Sequence, residues 1–164
     1  MRAALAVAAC LALAACGQRA GEPEAKPTSA APRIQTWKLP AAPGAASPDL
    51  RLAPDGRLLL GWLQADGKDA HRFLFAAADG KGQWQHEPRV IVAGRPLFAN
   101  WADTPHLIAT GDGSLWAHWL QRTGKRGGSY DVVLARSIDA GRSWTAGIKV
   151  NDDGTKSEHG FATL

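Results

Sequence analysis

The stretch that decides the fold of this chain is the octapeptide Ser137-Ile138-Asp139-Ala140-Gly141-Arg142-Ser143-Trp144. An aspartate in a tight turn accepts hydrogen bonds from backbone amides of its own turn, and a glycine supplies a backbone angle that other residues resist. A tryptophan at the end of such a turn covers the hairpin with a large apolar ring. The octapeptide therefore predicts a tight hairpin between two β-strands, in which Asp139 has a structural role.

An internal repeat surrounds this octapeptide. Residues 47–64 read SPDLRLAPDGRLLLGWLQ, and residues 104–121 read TPHLIATGDGSLWAHWLQ, at an offset of 57 residues. Each copy holds a short strand, an Asp-Gly hairpin turn and a second strand that ends in Trp-Leu-Gln. Both second strands are apolar at successive positions, which predicts that both faces of each strand are buried. A period of this size indicates a radial or stacked repeat architecture.

A third strand is predicted in each copy, at residues 71–77 and 130–137, and the later one runs into the octapeptide. At the corresponding place in the first copy, residues 77–84 (AADGKGQW) keep the aspartate and the tryptophan and form a degenerate version. A third copy begins near residue 152, where residues 159–163 align with residues 106–110. The chain has 18 glycines and 10 prolines, which helices exclude, so it is predicted to be all-β.

The octapeptide meets all five defined positions of the Asp box, which are Ser137, Asp139, Gly141, Ser143 and Trp144. Together with the repeat, it resembles the sialidase (neuraminidase) superfamily over about residues 46–164. The resemblance implies an all-β, sialidase-like six-bladed β-propeller that is incomplete here, with about two blades of four-stranded antiparallel sheet plus the start of a third. The expected boundaries are 47–103 for the first blade, 104–156 for the second blade with the Asp box, and 157–164 for the start of a truncated third blade.

The same resemblance implies where a glycosidase site would lie. Sialidases hold the sugar carboxylate with three arginines, use an aspartate as acid/base, and use a tyrosine activated by a glutamate as nucleophile. The first arginine position falls on Ala46 here, and the nearby Arg51 lies inside the strand in a different register, so it is not assigned to the site. Asp69, between the second and third strands, is the candidate acid/base, and the alternative is a polar loop residue. The remaining catalytic residues would lie in blades that this sequence lacks.

Residues 100–106 (NWADTPH) are the candidate substrate-binding segment, with Asp103 and His106 as the contacts to a sugar ring. They lead into the first strand of the second predicted blade, where neighbouring blades converge on the axis. The alternative is that they plug the central channel. The five histidines show no pair at metal-ligand spacing and no glycine-rich phosphate loop is present, so neither a metal nor a cofactor is expected.

The N-terminus has the features of an export signal. Residues 1–15 form a short positive start and an apolar run that is too short to cross a bilayer of ~30 Å. The sequence LAAC at residues 13–16 resembles the bacterial lipobox and predicts lipidation of Cys16, and the alternative is a plain secretory signal. Residues 16–46 are predicted to be a Pro/Ala-rich tether, in which residues 34–39 (IQTWKL) are either a strand that closes the ring or an isolated apolar patch.

Partners and location follow from these features. The formal charge of +4 is scattered, and its only cluster, Arg122 with Lys125 and Arg126, reads as a solvated loop, so no nucleic acid is expected. We expect a membrane contact through the lipid anchor, a glycan ligand, and a place in the bacterial cell envelope, at the outer membrane facing the periplasm or the surface. Two functions remain open: a family member that binds or hydrolyses terminal sialic-acid-type glycosides, with this fragment inactive, or a non-catalytic binding and assembly scaffold. Ala46 favours the scaffold.

Overall fold

The computed structural model describes residues 33–124 and 128–164 of the chain. The predictions for the signal peptide over residues 1–15, for Cys16 and for the loop cations Lys125 and Arg126 fall outside these residues. The described part forms two antiparallel β-sheets and contains no helix, so the all-β prediction is confirmed. No helix that is long and apolar enough to cross a membrane occurs among these residues.

The first sheet is a meander in which each strand pairs with the next one along the chain. Its four strands are β1 (Ala45–Leu52), β2 (Leu58–Ala65), β3 (His71–Ala78) and β4 (Arg89–Gly94). Each strand is joined to the next by a hairpin connection, the longest of which covers residues 79–88, and all the pairs are antiparallel. Because β1 begins at Ala45, the end of the tether predicted over residues 16–46 belongs to the sheet.

The second sheet has five strands because its first strand is interrupted. Its strands are β5 (Leu97–Phe98), β6 (His106–Ala109), β7 (Leu115–Arg122), β8 (Tyr130–Ser137) and β9 (Ile148–Lys149). Both β5 and β6 pair with β7, and residues 99–105 leave the sheet between them. In the first sheet, β1 covers the same length of β2 with only a small irregularity between Ala46 and Asp49. As a result β5, which falls in the predicted first blade, pairs with the second sheet.

The repeat offset holds in the strand register. Asp49 lies opposite Gly61 in the first sheet, and His106 lies opposite His118 in the second, so 57 residues separate both members of the two pairs. Both Asp-Gly turns place their glycine in the left-handed region, with φ of 83° and 81°. The two copies are therefore the same supersecondary unit, and a polar pair in the second copy replaces an aspartate and a glycine in the first.

The main core lies between the two sheets, and the middle strands also bury their outer faces. On β2, Leu59 and Leu63 point into the core between the sheets, while Leu60 and Trp62 are buried on the opposite face. On β7, Ala117 and Trp119 belong to the inter-sheet core and Leu120 is buried on the other face. The prediction that both faces of the second strands are buried is confirmed.

The outer face of the first sheet is covered by the chain itself. We call residues 37–44, which cross this face before the turn into β1, the strap. At one end of the strap, the indole N–H of Trp84 donates to the carbonyl of Lys38 (2.8 Å). At the other end, the side-chain amide of Gln64 donates to the carbonyl of Pro43 (3.1 Å). Between these contacts the strap packs on the apolar outer side of β2.

The strap differs from what the sequence predicts for this region. Residues 34–39 form no strand, although Trp37 among them packs edge to face against Trp84 at a centroid distance of 6.4 Å. The compact unit spans Thr36–Leu164, so the last residues of the predicted tether are part of it. The physical reason is the apolar ring of Trp37, whose burial stabilises the strap against the sheet.

Candidate functional site

The octapeptide forms the hairpin that follows β8. Asp139 Oδ1 accepts hydrogen bonds from the Ser143 backbone N–H (2.9 Å) and the Ser137 hydroxyl (2.8 Å), and Oδ2 accepts one from the Ser143 hydroxyl (2.6 Å). These bonds, with that of the Ser143 hydroxyl the strongest, hold the pKa of the Asp139 carboxyl far below its usual range. The Asp139 carboxylate therefore accepts its hydrogen bonds from residues of its own turn.

The octapeptide also packs against the first sheet. Trp144 meets Phe75 of β3 edge to face, with ring centroids 6.2 Å apart, and Arg89 of β4 donates to the carbonyl of Ala140. Gly141 has a φ of 79°, and a Cβ at this position would overlap the Phe75 ring. Only glycine meets both demands without strain. The Asp box thus connects the two sheets.

The degenerate copy makes the same arrangement with the strap. Trp84 lies edge to face on Trp37, at 88° between the ring planes, as Trp144 lies on Phe75 at 87°. A Cβ on Gly82 would overlap the Trp37 indole, just as one on the glycine of the Asp box would overlap Phe75. Trp37 therefore packs on the turn of the first sheet in the same way as Phe75 packs on the turn of the second sheet.

The two positions that the resemblance assigns to catalysis lie on the surface. Ala46 is an exposed residue of β1. Asp69 is exposed in the loop between β2 and β3, with a φ of 60°, and its carboxylate has no hydrogen-bond or ion-pair partner among the described residues. A general acid is usually set up by an apolar wall or by a charged partner. Neither surrounds Asp69 in this part of the chain.

Asp103, expected to contact substrate, is buried and bonded within the protein. Its Oδ2 accepts a hydrogen bond from the side-chain amide of Asn100 (2.7 Å) and lies 3.5 Å from the Tyr130 hydroxyl. Its Oδ1 accepts one from the Phe161 backbone N–H, which ties the excursion before β6 to the segment after β9. Burial, followed by the charge of Asp103, raises the pKa of the Tyr130 hydroxyl. A substrate role for Asp103 stays a prediction.

A shallow depression of about 310 Å³ opens beside this aspartate. Its rim carries two aromatic side chains that are almost fully exposed, Trp101 at 95% and Phe161 at 85%. Its floor is formed by Phe98 and Tyr130, whose rings stack with centroids 4.7 Å apart. The two exposed rings line the same depression, so the apolar surface here is shared by neighbouring side chains.

His106, the second expected substrate contact, lies in a polar cluster built from the first strands of the two sheets. The Arg51 guanidinium approaches Asp49 Oδ1 through Nε (3.0 Å) and His106 Nδ1 through Nη2 (2.9 Å). The same His106 Nδ1 lies 3.2 Å from Asp49 Oδ1. Asp49 Oδ2 accepts a hydrogen bond from the Leu107 backbone N–H (3.1 Å), so one carboxylate bridges both sheets. Arg51 and His106 reach the surface, with side-chain exposures of 37% and 19%.

His118 completes this cluster, and we use the name inter-sheet cluster for Asp49, Arg51, His106 and His118. His118 is 4% exposed, lies on the outer face of β7 with Leu120, and has its ring centroid 5.0 Å from that of His106. Neither of its nitrogens has a hydrogen-bond partner in the described part of the chain. Burial, reinforced by the positive charge that His106 can carry, lowers the pKa of His118 to about 4. The residue is therefore neutral at physiological pH.

The inter-sheet cluster was only partly visible in the sequence. The segment NWADTPH indicates His106, whereas the register of the family motif gives no role to Arg51, and no local pattern singles out Asp49 or His118. The signal for His118 is a histidine inside the apolar run LWAHWL, at the position where the first copy has Gly61. A polar residue in the middle of a strand that is buried on both faces needs a reason.

Comparison with models of protein families finds no match for this chain, and comparison with curated proteins finds no similar protein. Among the residues that the structure describes, no group of three or more histidines, cysteines or carboxylates is arranged to hold a metal ion. The class of protein, an all-β chain of two repeated antiparallel sheets, therefore rests on its own sequence and structure.

Proposed function

We propose that the chain forms the first two blades and the start of a third in a sialidase-like six-bladed β-propeller. In this proposal the protein is an exported lipoprotein, anchored through Cys16 in the bacterial cell envelope, and its complete form binds terminal sialic-acid-type glycosides without hydrolysing them. The carrying observation is the pair Arg51 and His106, two partly exposed basic side chains that contact each other on the first strands of adjacent sheets.

The way the copies meet supports the propeller. Each copy buries both faces of its middle strand, which is what a blade packed between two neighbours requires. Trp37 stands against the first sheet where Phe75 stands against the second, so the strap occupies the side on which a preceding blade would pack. This favours the interpretation of residues 34–39 as part of the ring closure, in a conformation other than a paired strand.

The inter-sheet cluster supports a carboxylate-bearing ligand. Guanidinium groups bind carboxylates through two parallel hydrogen bonds, and Arg51 is held in place by Asp49 while its outer edge reaches solvent. Arg51 and Asp49 come from β1 and His106 comes from β6, so the cluster lies where the two repeat units meet.

Two features speak against hydrolysis. Ala46 stands at the position of a catalytic arginine, and its methyl group offers no hydrogen bond to a substrate. Asp69 is exposed and has no partner among the described residues, whereas a catalytic carboxylic acid at neutral pH needs an environment that favours its protonated form. We assign binding without hydrolysis because Arg51 can donate hydrogen bonds to a carboxylate, while Asp69 lacks the environment of a catalytic acid.

Saturation-transfer NMR of the complete propeller protein with sialyllactose tests the binding. We expect transfer to the sialyl residue, its loss in Arg51→Gln, and its retention in Arg57→Gln. Arg57 is a matched control because it pairs with Asp55, two residues earlier, as Arg51 pairs with Asp49. A methylumbelliferyl sialoside should release no fluorophore. Release above the blank would overturn the non-hydrolytic assignment, and no transfer to the sialyl residue would overturn glycan binding.

A non-catalytic assembly scaffold is the second candidate. It is favoured by Trp101 and Phe161, whose exposed rings flank the depression on the second sheet and suit a protein partner as well as a sugar. An absence of saturation transfer from sialyllactose and from its lactose core, in a folded chain, would favour this function.

A further inference from the structure

We infer that the depression between residues 98–103 and residues 158–161 binds the quaternary ammonium group of a small choline-type ligand. Among the described residues, four aromatic side chains and two carboxylates line it, and no basic side chain does: Phe98, Trp101, Tyr130, Phe161, Asp103 and Glu158. Aromatic cages recognise quaternary ammonium ligands because the faces of the rings are negative. The inference is independent of the proposed function, since neither Arg51 nor His106 lines this depression.

The rings at the rim are free to meet a ligand, while those of the floor are engaged. Phe98 stacks with Tyr130 at a centroid distance of 4.7 Å, and the guanidinium carbon of Arg122 lies 4.3 Å from the centroid of the Phe98 ring. A cation therefore already contacts one ring of this group. Trp101 and Phe161 are 95% and 85% exposed, so their rings remain available for a cation from solution.

Asp103 gives the depression a buried negative charge. The residue is 8% exposed, and its carboxylate accepts hydrogen bonds only from uncharged donors, the Asn100 amide and the Phe161 backbone N–H. In residues 33–124 and 128–164, no ion pair joins it to a cation. Buried carboxylates are normally paired with a positive charge. A cationic ligand in the depression would supply that charge.

Phe161 is held in an unfavourable backbone conformation while its ring stays at the surface. Its φ of 56° lies in the left-handed region, which bulky residues rarely adopt. Asp103 holds this conformation through the Phe161 N–H, and Gly160 permits the approach, because a Cβ at Gly160 would overlap the carboxylate. Burial of the ring does not compensate for the strain, since the ring is exposed. Strained residues cluster at ligand sites, and a ring displayed for a ligand accounts for the strain here.

The chemistry of the lining selects a quaternary ammonium group among cations. A primary ammonium or a guanidinium needs several hydrogen-bond acceptors, and both oxygens of Asp103 already accept from the protein. Among the described residues, no three carboxylates, histidines or cysteines are arranged for a metal ion. A trimethylammonium group has no N–H, so it needs only ring faces and negative charge. Trp101, Phe161 and Glu158 supply these at the rim.

Titration of the full chain with choline chloride, followed in ¹H–¹⁵N spectra, tests the site. We expect shifts of the Trp101 indole N–H and the Phe161 backbone N–H, with a dissociation constant of about 1–10 mM from two ring contacts and one buried charge. The matched control is 3,3-dimethylbutan-1-ol, which has the shape of choline with carbon in place of the charged nitrogen, and it should shift neither signal.

Three results of this titration would overturn the inference. The first is an absence of shifts at about 100 mM choline, well above the expected dissociation constant. The second is equal binding of the uncharged alcohol, which would make the site merely apolar. The third is binding to phosphatidylcholine vesicles without binding of free choline, which would make the surface a membrane contact.

Variants at the rim separate the rings from the charge. Trp101→Ala should weaken choline binding about five- to tenfold and Trp101→Phe should retain most of it, while the 95% exposure of the ring means that the fold is kept. Glu158→Gln should weaken binding about two- to fivefold. Glu87→Gln, which changes an exposed glutamate beside Trp84, should leave it unchanged. Unchanged affinity in Trp101→Ala, or equal effects of the two glutamine variants, would overturn the assignment to this depression.

Discussion

Replacing His118 should show whether burial of a neutral histidine makes the stability of this protein depend on pH. Its pKa of about 4 in the folded chain lies below the ordinary value of 6.5. Between these two pH values the unfolded chain binds a proton at His118 and the folded chain does not. Stability that depends on neutral His118 is present above pH 6.5 and is lost as the pH falls from 6.5 towards 4. Linkage gives an upper limit of about 2 kcal/mol lost at pH 5 and about 3 kcal/mol at pH 4. Solvent that reaches the neighbouring Arg51 and His106 screens the cluster, so we expect a loss of about 1–2 kcal/mol at pH 5.

Two variants separate the charge from the polarity of this ring. His118→Leu removes both unpartnered nitrogens at similar volume, and it should raise the unfolding free energy by about 1–3 kcal/mol at pH 7.5, the cost of a buried unsatisfied polar group. His118→Gln keeps a buried polar group that does not titrate, so it should bring no such gain. Both variants should lose less stability than the wild type between pH 7.5 and pH 5.

Urea unfolding of the full chain, followed by tryptophan fluorescence, measures these differences, because the buried Trp62 and Trp119 report on the two middle strands. The curves are compared at pH 7.5, 6 and 5, with the urea dependence fixed between variants. If the wild type and His118→Leu lose the same stability between pH 7.5 and pH 5, the imidazole is not held neutral by burial. In that case the account of the inter-sheet cluster is wrong.

Two further predictions concern the contacts of the turns and of the strap. Gly141→Ala should cost about 2–4 kcal/mol in thermal or urea unfolding, since it adds a clash with Phe75 to the left-handed backbone. Gly113 has a φ of 81°, and an added Cβ would meet no atom within 4 Å, so Gly113→Ala should cost only about 1–2 kcal/mol. Equal costs for the two variants would refute the close approach of Phe75 to Gly141. Trp37→Ala should lower the unfolding free energy by about 2–4 kcal/mol and increase hydrogen exchange on the outer face of the first sheet. Trp101→Ala is its control, since a ring that is 95% exposed should change stability little, and a similar loss in both would contradict the strap.

The parts of the fold that depend on local chemistry could be predicted from the sequence. Asp-Gly turns and the octapeptide define hairpins through hydrogen bonds between residues a few positions apart, and the apolar runs of the second strands define burial on both faces. The strap could not be predicted in this way. Residues 34–39 lie in a Pro/Ala-rich stretch, and the packing of Trp37 on Trp84 is a tertiary contact that no local pattern contains.

The candidate site is harder to predict because its residues meet only through the packing of one sheet against the other. Arg51 and His106 are 55 residues apart, and their contact depends on how β1 and β6 pack when the two sheets come together. The resemblance to the family motif assigns no role to Arg51, because the motif arginine aligns with Ala46. It does not describe what the side chain contacts. The insertion of residues 99–105, which splits the first strand of the second copy, has no counterpart in the first copy and could not be placed by the repeat.

The inter-sheet cluster has the composition of a functional site more than that of a structural link. A structural network is stabilising when every member is satisfied, and an unsatisfied one is less stable than an apolar core. Here Asp49 Oδ1 is approached by both Arg51 and His106, and His118 has no hydrogen-bond partner among the residues that the structure describes. The first copy shows that the fold does not require this arrangement, because Gly61 stands where the second has His118. The unpartnered His118 lies on the outer face of β7, on the same face as Leu120, and Arg51 and His106 reach the surface beside it, so the polar side chains of this cluster are placed where a ligand or a further packed element can meet them.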